Sequence, residues 1–273
     1  RHLCDRAASG VPAHGGSGIA RRAVNQQGGL VMTDHDPRLG GPCAAGVVFA
    51  LAVEADAFAR RAGDRTELMA DGLVFHEGTV RDRRVAWCVC GIGRERAGRA
   101  TRLLVDGHRP KVIISPGFAG GLDQNLPRGS IVRPSAVCGL VDDAVRPLAG
   151  QGGPLLVTVD TIVRTAAEKR SLAEQTRAAI VDMETLAVAE AAGQIGLPCH
   201  GLRVISDAAG DELPADIGRL LEPQSAARKA GSVLGLLGRR PRAALELWSL
   251  WERAVVDGRT LADALVELIG RLP

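Results

Sequence analysis

Between Gly46 and Ile205 the chain alternates short, unbroken apolar runs with stretches of helical spacing, and this alternation restricts its fold more than any other feature. Val47-Val48-Phe49-Ala50-Leu51, Val85 to Cys90, Lys111 to Ser115, Leu155 to Val159, Ala179 to Met183 and Gly201 to Ile205 lack the polar alternation of a strand with one wet face. Strands of that kind are buried on both sides. Leu73 to Val80, Ser130 to Val132 and Ala136 to Leu140 read as further strands. Helices are expected over Glu54 to Ala62, from Gly91 to about Asp106, over Thr165 to Glu174 and over Glu184 to Ile195. The fold class implied is α/β, a central and largely parallel sheet with helices on both faces.

Three segments differ in character. Residues 1–44 are rich in Gly, Arg, Ala and His with no sustained apolar period, and the first methionine is Met32. This segment is expected to be a disordered tail, or upstream sequence lying outside the natural protein. Residues 45–218 carry the α/β pattern. Residues 219–273 read as a helical extension, packed on the domain or on a neighbouring subunit. Within it, Leu247, Trp248, Trp251, Ala254 and Val255 share one helical face, and Leu261, Ala264, Leu265, Leu268 and Ile269 another. Asp257-Gly258 is expected to break the two apart, with Thr260 and Asp263 capping the second. The tryptophans read as core or interface anchors.

Composition removes several function classes. No apolar run is long enough to cross a bilayer, so no membrane span is expected. The net charge is +3, and 31 Arg outnumber 3 Lys. These cations are scattered and aromatics make up only 3%, too few for base-stacking platforms, so no nucleic-acid partner is expected. The six cysteines form no CxxC pair, and there is no HExxH, so no metal site is expected. Cys88 and Cys90 read as small core residues, and unpaired core thiols fit a cytoplasmic protein.

Four clusters stand at the carboxyl ends of expected strands, the edge of an open α/β sheet where ligands bind. Gly91-Ile92-Gly93 would let backbone amides approach an anion or a hydroxyl-rich ligand, or simply make a tight turn. The glycine-rich run Ser115-Pro116-Gly117-Phe118-Ala119-Gly120-Gly121-Leu122 leaves room for a flat ligand or a phosphate. In Val181-Asp182-Met183-Glu184 two acids flank a methionine. Either they sit at a helix N-terminus for the sake of its dipole, or one carboxylate binds sugar hydroxyls while the thioether packs on the sugar or base. Ser206-Asp207 follows a buried strand. A partly buried carboxyl there can hold a proton for a leaving group, or it can cap the next helix.

Taken together, GIG, GFAGGL, VDMET and ISDAAGD resemble, in order and spacing, the nucleoside phosphorylase and nucleosidase superfamily. The likeness runs from Val47 to Asp211 and is greatest to 5′-methylthioadenosine/S-adenosylhomocysteine nucleosidases and hopanoid-associated nucleoside phosphorylases. It implies a mixed central sheet, partly closed into a barrel and flanked by helices. Asp207 matches the acid that protonates purine N7, with Ser206 beside it. Glu184 matches the ligand of the ribose hydroxyls, and Met183 the residue packed on the nucleoside. Phe118, Ala119 and Gly120 match the loop beside the base and the nucleophile, and Ile162-Val163 the pair that frames adenine. The family's water-orienting glutamate falls at Ala55, with Glu54 one position early and expected to substitute for it. The resemblance implies cleavage of the N-glycosidic bond of a 5′-modified purine nucleoside. Water or inorganic phosphate would be co-substrate, no cofactor would be needed, and the protein would be a homo-oligomer. The alternatives are a phosphorylase or nucleosidase for a bulkier adenosine conjugate, and a nucleoside-binding protein without turnover.

Overall fold

The computed structural model describes residues 20–24, 30–31, 42–140, 144–150, 152–214, 217 and 241–273. Thirteen strands lie among them: β1 (Ala20–Val24), β2 (Leu30–Val31), β3 (Ala45–Phe49), β4 (Gly63–Ala70), β5 (Leu73–Val80), β6 (Arg83–Val89), β7 (Ile113–Gly121), β8 (Ile131–Val132), β9 (Ala136–Cys138), β10 (Arg146–Pro147), β11 (Leu155–Thr158), β12 (Ile180–Asp182) and β13 (Cys199–Asp207). The helices described are α1 (Ala52–Ala59), α2 (Arg94–His108), α3 (Ala166–Thr176), α4 (Thr185–Gly193) and α5 (Pro241–Gly270).

Adjacent residues of the apolar runs feed opposite sides of the sheet, as a period of two requires. Val48, Ile113 and Ile205 join Cys88, Leu104, Leu186 and Val188 in a core beneath α2 and α4. Their neighbours Val47, Ile114 and Val204 join Phe49, Phe58, Trp87, Leu261, Leu265 and Ile269 beneath α1 and α5. Both faces are therefore dry, which explains the unbroken apolar runs.

The sheet is mixed. Its strands run β10-β9-β11-β12-β7-β3-β6-β5-β4-β1-β2, with β13 and β8 branching from β7. The branch lies in β7 itself. Ile113 and Ile114 pair with Gly46 and Val47 of β3, Gly120 and Gly121 pair antiparallel with β12, and almost the whole strand runs parallel to β13. The pairing path has two free ends, so the sheet does not close into a barrel.

Several boundaries differ from expectation for identifiable reasons. The glycine-rich run is not a turn after the strand but the second half of β7, because β13 and β12 pair with it. β4 gives no apolar signal because it is mostly exposed and held at its edges by β1 and β5. Asp257-Gly258 does not break the C-terminal helix, and α5 runs through it. Buried Asp257 accepts a hydrogen bond from Arg128 at 2.5 Å, and Gly258 lies so close to α1 that a Cβ would stand 2.6 Å from the Val53 carbonyl oxygen. Thr260 and Asp263 do not cap a helix; Thr260 donates to the Val256 carbonyl, and Asp263 meets Arg61. Trp251 is half exposed, whereas the side chain of Trp248 lies outside the described residues. Of residues 1–44, expected to lack order, 20–24 and 30–31 are described as β1 and β2, with β1 antiparallel to β4; most of the segment lies outside the described residues.

Candidate active site

The carboxyl ends of β3, β6, β7, β12 and β13 converge, and the residues beyond them form two linked acid clusters. The first surrounds a cavity of about 10 Å³ whose walls include Glu54, Cys90, Gly117, Phe118, Glu184 and Arg203. That is about the smallest volume that accommodates one water molecule.

Glu54 sits in the first turn of α1 and is 3% exposed. Its Oε2 accepts from the Ala50 and Leu51 amides at 3.2 and 2.9 Å, and its Oε1 from the Phe118 amide at 2.9 Å. Burial pushes this carboxyl above the usual carboxylate range, against the pull of these amides and of Arg203. Ala55, expected where the family's water-orienting acid falls, is buried in the α1 core. Glu54 is the residue whose carboxylate reaches the cavity. Its approach depends on Gly117, where a Cβ would come within 2.9 Å of Oε1.

Glu184 is the N-cap residue of α4, yet its carboxylate does not cap that helix. It reaches across to accept from the Gly93 amide at 2.8 Å. The Gly91-Ile92-Gly93 turn therefore presents an amide to an acidic side chain, and that side chain is the protein's own. The Gly91 amide is likewise occupied, by the Ala50 carbonyl. Burial, then the nearby charges of Asp182 and Glu54, push the Glu184 carboxyl up to about 8. The helix cap belongs instead to Asp182, which accepts from the Thr185 amide at 3.0 Å.

Asp182 and Arg203 are a buried ion pair at 2.6 Å beneath this cavity. Arg203 also donates to the Ser115 carbonyl at 2.6 Å and to the Ser115 and Thr185 hydroxyls, and Thr158 donates to Asp182 at 2.6 Å. The network fastens β7, β11, β12, β13 and α4 together. The available signal was Arg203 itself, a charge in the middle of the run from Gly201 to Ile205, where both strand faces are expected to be buried.

The second cluster centres on Asp207, 6% exposed, at a register shift where it pairs with Gly120. Its Oδ1 accepts from the Ser206 hydroxyl at 2.7 Å, and Ser206 also approaches the Ala119 carbonyl. Gly120 leaves the space: a Cβ there would meet Val181 at 3.1 Å and Asp207 Oδ2 at 3.3 Å. Fully buried Lys169, on the inner face of α3, brings its ammonium to 2.6 Å from Oδ2. The Asx-type cap in this loop is made by Asp211, which accepts from the Ala208 amide at 2.8 Å.

Phe118, Ala119 and Gly120 lie on β7 between the two clusters. Half-buried Met183 and Val163 pack against one core patch with Val157, Val159 and Val181, and Ile162 is half buried beside Val163. Arg94, at the start of α2, meets exposed Asp160 at 3.5 Å. Away from this region, buried Cys43, Glu77 and His108 cluster, with His108 Nδ1 2.7 Å from Glu77 and Arg84 at 3.6 Å from the same carboxylate.

A model of the phosphorylase superfamily matches residues 44–161 and 153–237. The chain belongs to the phosphorylase superfamily. By family it is therefore an enzyme that cleaves N-glycosidic bonds. It is 26% identical over 209 residues to the 5′-methylthioadenosine/S-adenosylhomocysteine nucleosidase of Staphylococcus aureus (strain JH9), covering 65% of this chain and 92% of that protein. A shorter match to the nucleosidase of the same name from Actinobacillus succinogenes is 38% identical over 87 residues, 32% of this chain and 38% of that protein. Among solved structures, the Colwellia psychrerythraea nucleosidase in complex with adenine superposes with a TM-score of 0.65 at 22% identity, covering 85% of this chain and 96% of that one. Helicobacter pylori futalosine hydrolase gives 0.62 at 17%, covering 81% and 94%. At such identities these superfamily likenesses are of fold. Among the described residues no helix is long and apolar enough to cross a membrane.

Proposed function

We propose that this phosphorylase-superfamily member hydrolyses the N-glycosidic bond of a 5′-modified purine nucleoside, releasing adenine, with 5′-methylthioadenosine or S-adenosylhomocysteine as substrate. The observation that carries hydrolysis over phosphorolysis is the pair of carboxylates, Glu54 and Glu184, on one cavity wall. A phosphate dianion needs cationic or hydroxyl donors. Here the wall holds two carboxylates and Phe118, while Arg203 is engaged with Asp182 and Ser115.

In this reading Glu184 binds the ribose hydroxyls: its proton leaves as they arrive, because two donors favour the carboxylate that accepts from both. Met183, Ile162 and Val163 line the nucleoside. The proton on Asp207 moves to purine N7 as the C1′–N9 electron pair withdraws onto the base. The water oxygen adds to C1′, and its proton passes to Glu54, which burial has made a better acceptor. Proton transfer and an oriented nucleophile supply the acceleration, with no cofactor required. The reading takes the protein to be a cytoplasmic homo-oligomer.

Turnover of 5′-methylthioadenosine with and without inorganic phosphate tests the reading. Free 5-methylthioribose formed at an equal rate in both supports it. A strict requirement for phosphate, with a sugar 1-phosphate as product, would overturn it.

A further inference from the structure

Asp207 is not a carboxyl in an apolar recess. Lys169 comes to it from a different element, α3, and is as inaccessible as any core residue, at 0% exposure. Burying an ammonium is costly unless it is fully paired, so this one is there for its partners. It donates to the carbonyls of Ala208 and Asp211 at 2.6 and 3.0 Å. Its third neighbour is Asp207 Oδ2 at 2.6 Å, close enough for a full ion pair but out of line for a hydrogen bond. Oδ2 thus feels the charge while its own hydrogen-bonding capacity stays uncommitted, next to the space left by Gly120.

We propose that Lys169 is the positioning residue for the leaving-group acid: it stabilises the Asp207 carboxylate that remains once the proton has gone to the purine. This rests on the reading of Asp207 as that acid. When purine N7 arrives, two acceptors cannot face each other, so Asp207 must carry the proton in the complex. Transfer to N7 converts a neutral carboxyl into a buried anion, and the fixed ammonium lowers the cost of that anion in the transition state. The charge is placed before reaction, so no reorganisation is needed. Lys169 itself neither gains nor loses a proton. The two carbonyls hold it on axis and tie the 208–211 loop to α3, so the acid and its counter-charge are set by one contact.

The test uses the full chain with Lys169→Gln, whose amide retains donors for the two carbonyls but has no charge. On 5′-methylthioadenosine kcat should fall about 10- to 100-fold, the worth of a charge-assisted contact, with KM nearly unchanged. On 4-nitrophenyl riboside, whose leaving group departs as a stable anion, the loss should be under about threefold by the same argument. Equal losses on both substrates would overturn the proposal, because a merely structural lysine affects both alike. In an Asp207→Asn background the Gln substitution should cost nothing further on the nucleoside. That comparison also serves if Lys169→Gln alone does not fold, since the doubly neutral pair leaves no buried charge unpaired. A further loss beyond about tenfold in the double variant would show that Lys169 acts independently of Asp207. Near-normal nucleoside turnover in Asp207→Asn alone would instead remove the acid assignment on which the proposal stands.

Discussion

Glu54 and Asp207 are both buried carboxylates that lie against a glycine of β7, yet their surroundings are opposite. Glu54 is held by three backbone amides at the mouth of α1 and faces a second acid across a water-sized cavity. Asp207 faces a buried ammonium and a hydroxyl. Burial favours a proton on Glu54, against the pull of those amides and of nearby Arg203. An adjacent full cation favours the anion left after giving one away. Residue type alone does not separate these proposed roles; what each carboxyl is packed against does.

The largest test of that contrast is Asp207→Asn. Its amide cannot transfer a proton, so kcat on 5′-methylthioadenosine should fall about 10²–10⁴-fold, with a much smaller loss on 4-nitrophenyl riboside. The variant also leaves the Lys169 ammonium unpaired, so its Tm should drop, with a cost on the order of 3–5 kcal/mol for a broken buried pair. Near-normal rates would make Asp207 a structural anchor for Lys169 and nothing more.

Glu54→Gln should behave differently. Water must be activated whichever group leaves, so a loss of about 10²-fold or more is expected on both substrates equally. A loss confined to the purine nucleoside would place Glu54 on the leaving-group side and dissolve the comparison.

Glu184→Gln is expected to lower kcat/KM about 10- to 100-fold, with a smaller loss on a 2′-deoxy substrate. It also has a signature in stability. The folded chain keeps the Glu184 proton up to about 8, whereas the unfolded chain releases it near 4.5. Its contribution is therefore fully present below 4.5 and is lost as pH rises toward 8. The Tm of the wild type minus that of the Gln variant should fall across that window. A pH-independent difference would show that Glu184 titrates like an exposed acid.

The smallest effect concerns the far edge of the sheet. Removing residues 1–31 takes away β1 and β2 and bares β4, but touches neither acid cluster. Turnover should be unchanged and Tm should fall by no more than about 4 °C. A larger drop would mean that this edge is coupled to the core.

The frame around the site was legible in the sequence because strands buried on both faces write themselves as unbroken apolar runs. The acids were legible because they follow those runs directly. β4 was not, being polar and exposed, and neither was the second half of β7, because glycines chosen for close approach look like glycines chosen for a turn. Lys169 and Arg203 were missed for a different reason. Burial of a charge is a tertiary property, and Glu168-Lys169-Arg170 reads as a solvated helix face. For Lys169 one trace was present: it stands three residues before buried Leu172, on the inward side of α3, in a chain that otherwise places Arg almost everywhere.

The branching of β7 has a consequence for motion. A strand bonded along almost its whole length to β13, and also to β3 at its start and β12 at its end, cannot peel away locally. Its interior amides should exchange with deuterium only through global unfolding, while those of the β4 edge exchange through local opening. The glycines that admit both carboxylates lie on this strand. Their positions are therefore guarded by the cooperativity of the whole sheet, and the proposed chemistry rests on a strand expected to exchange slowly.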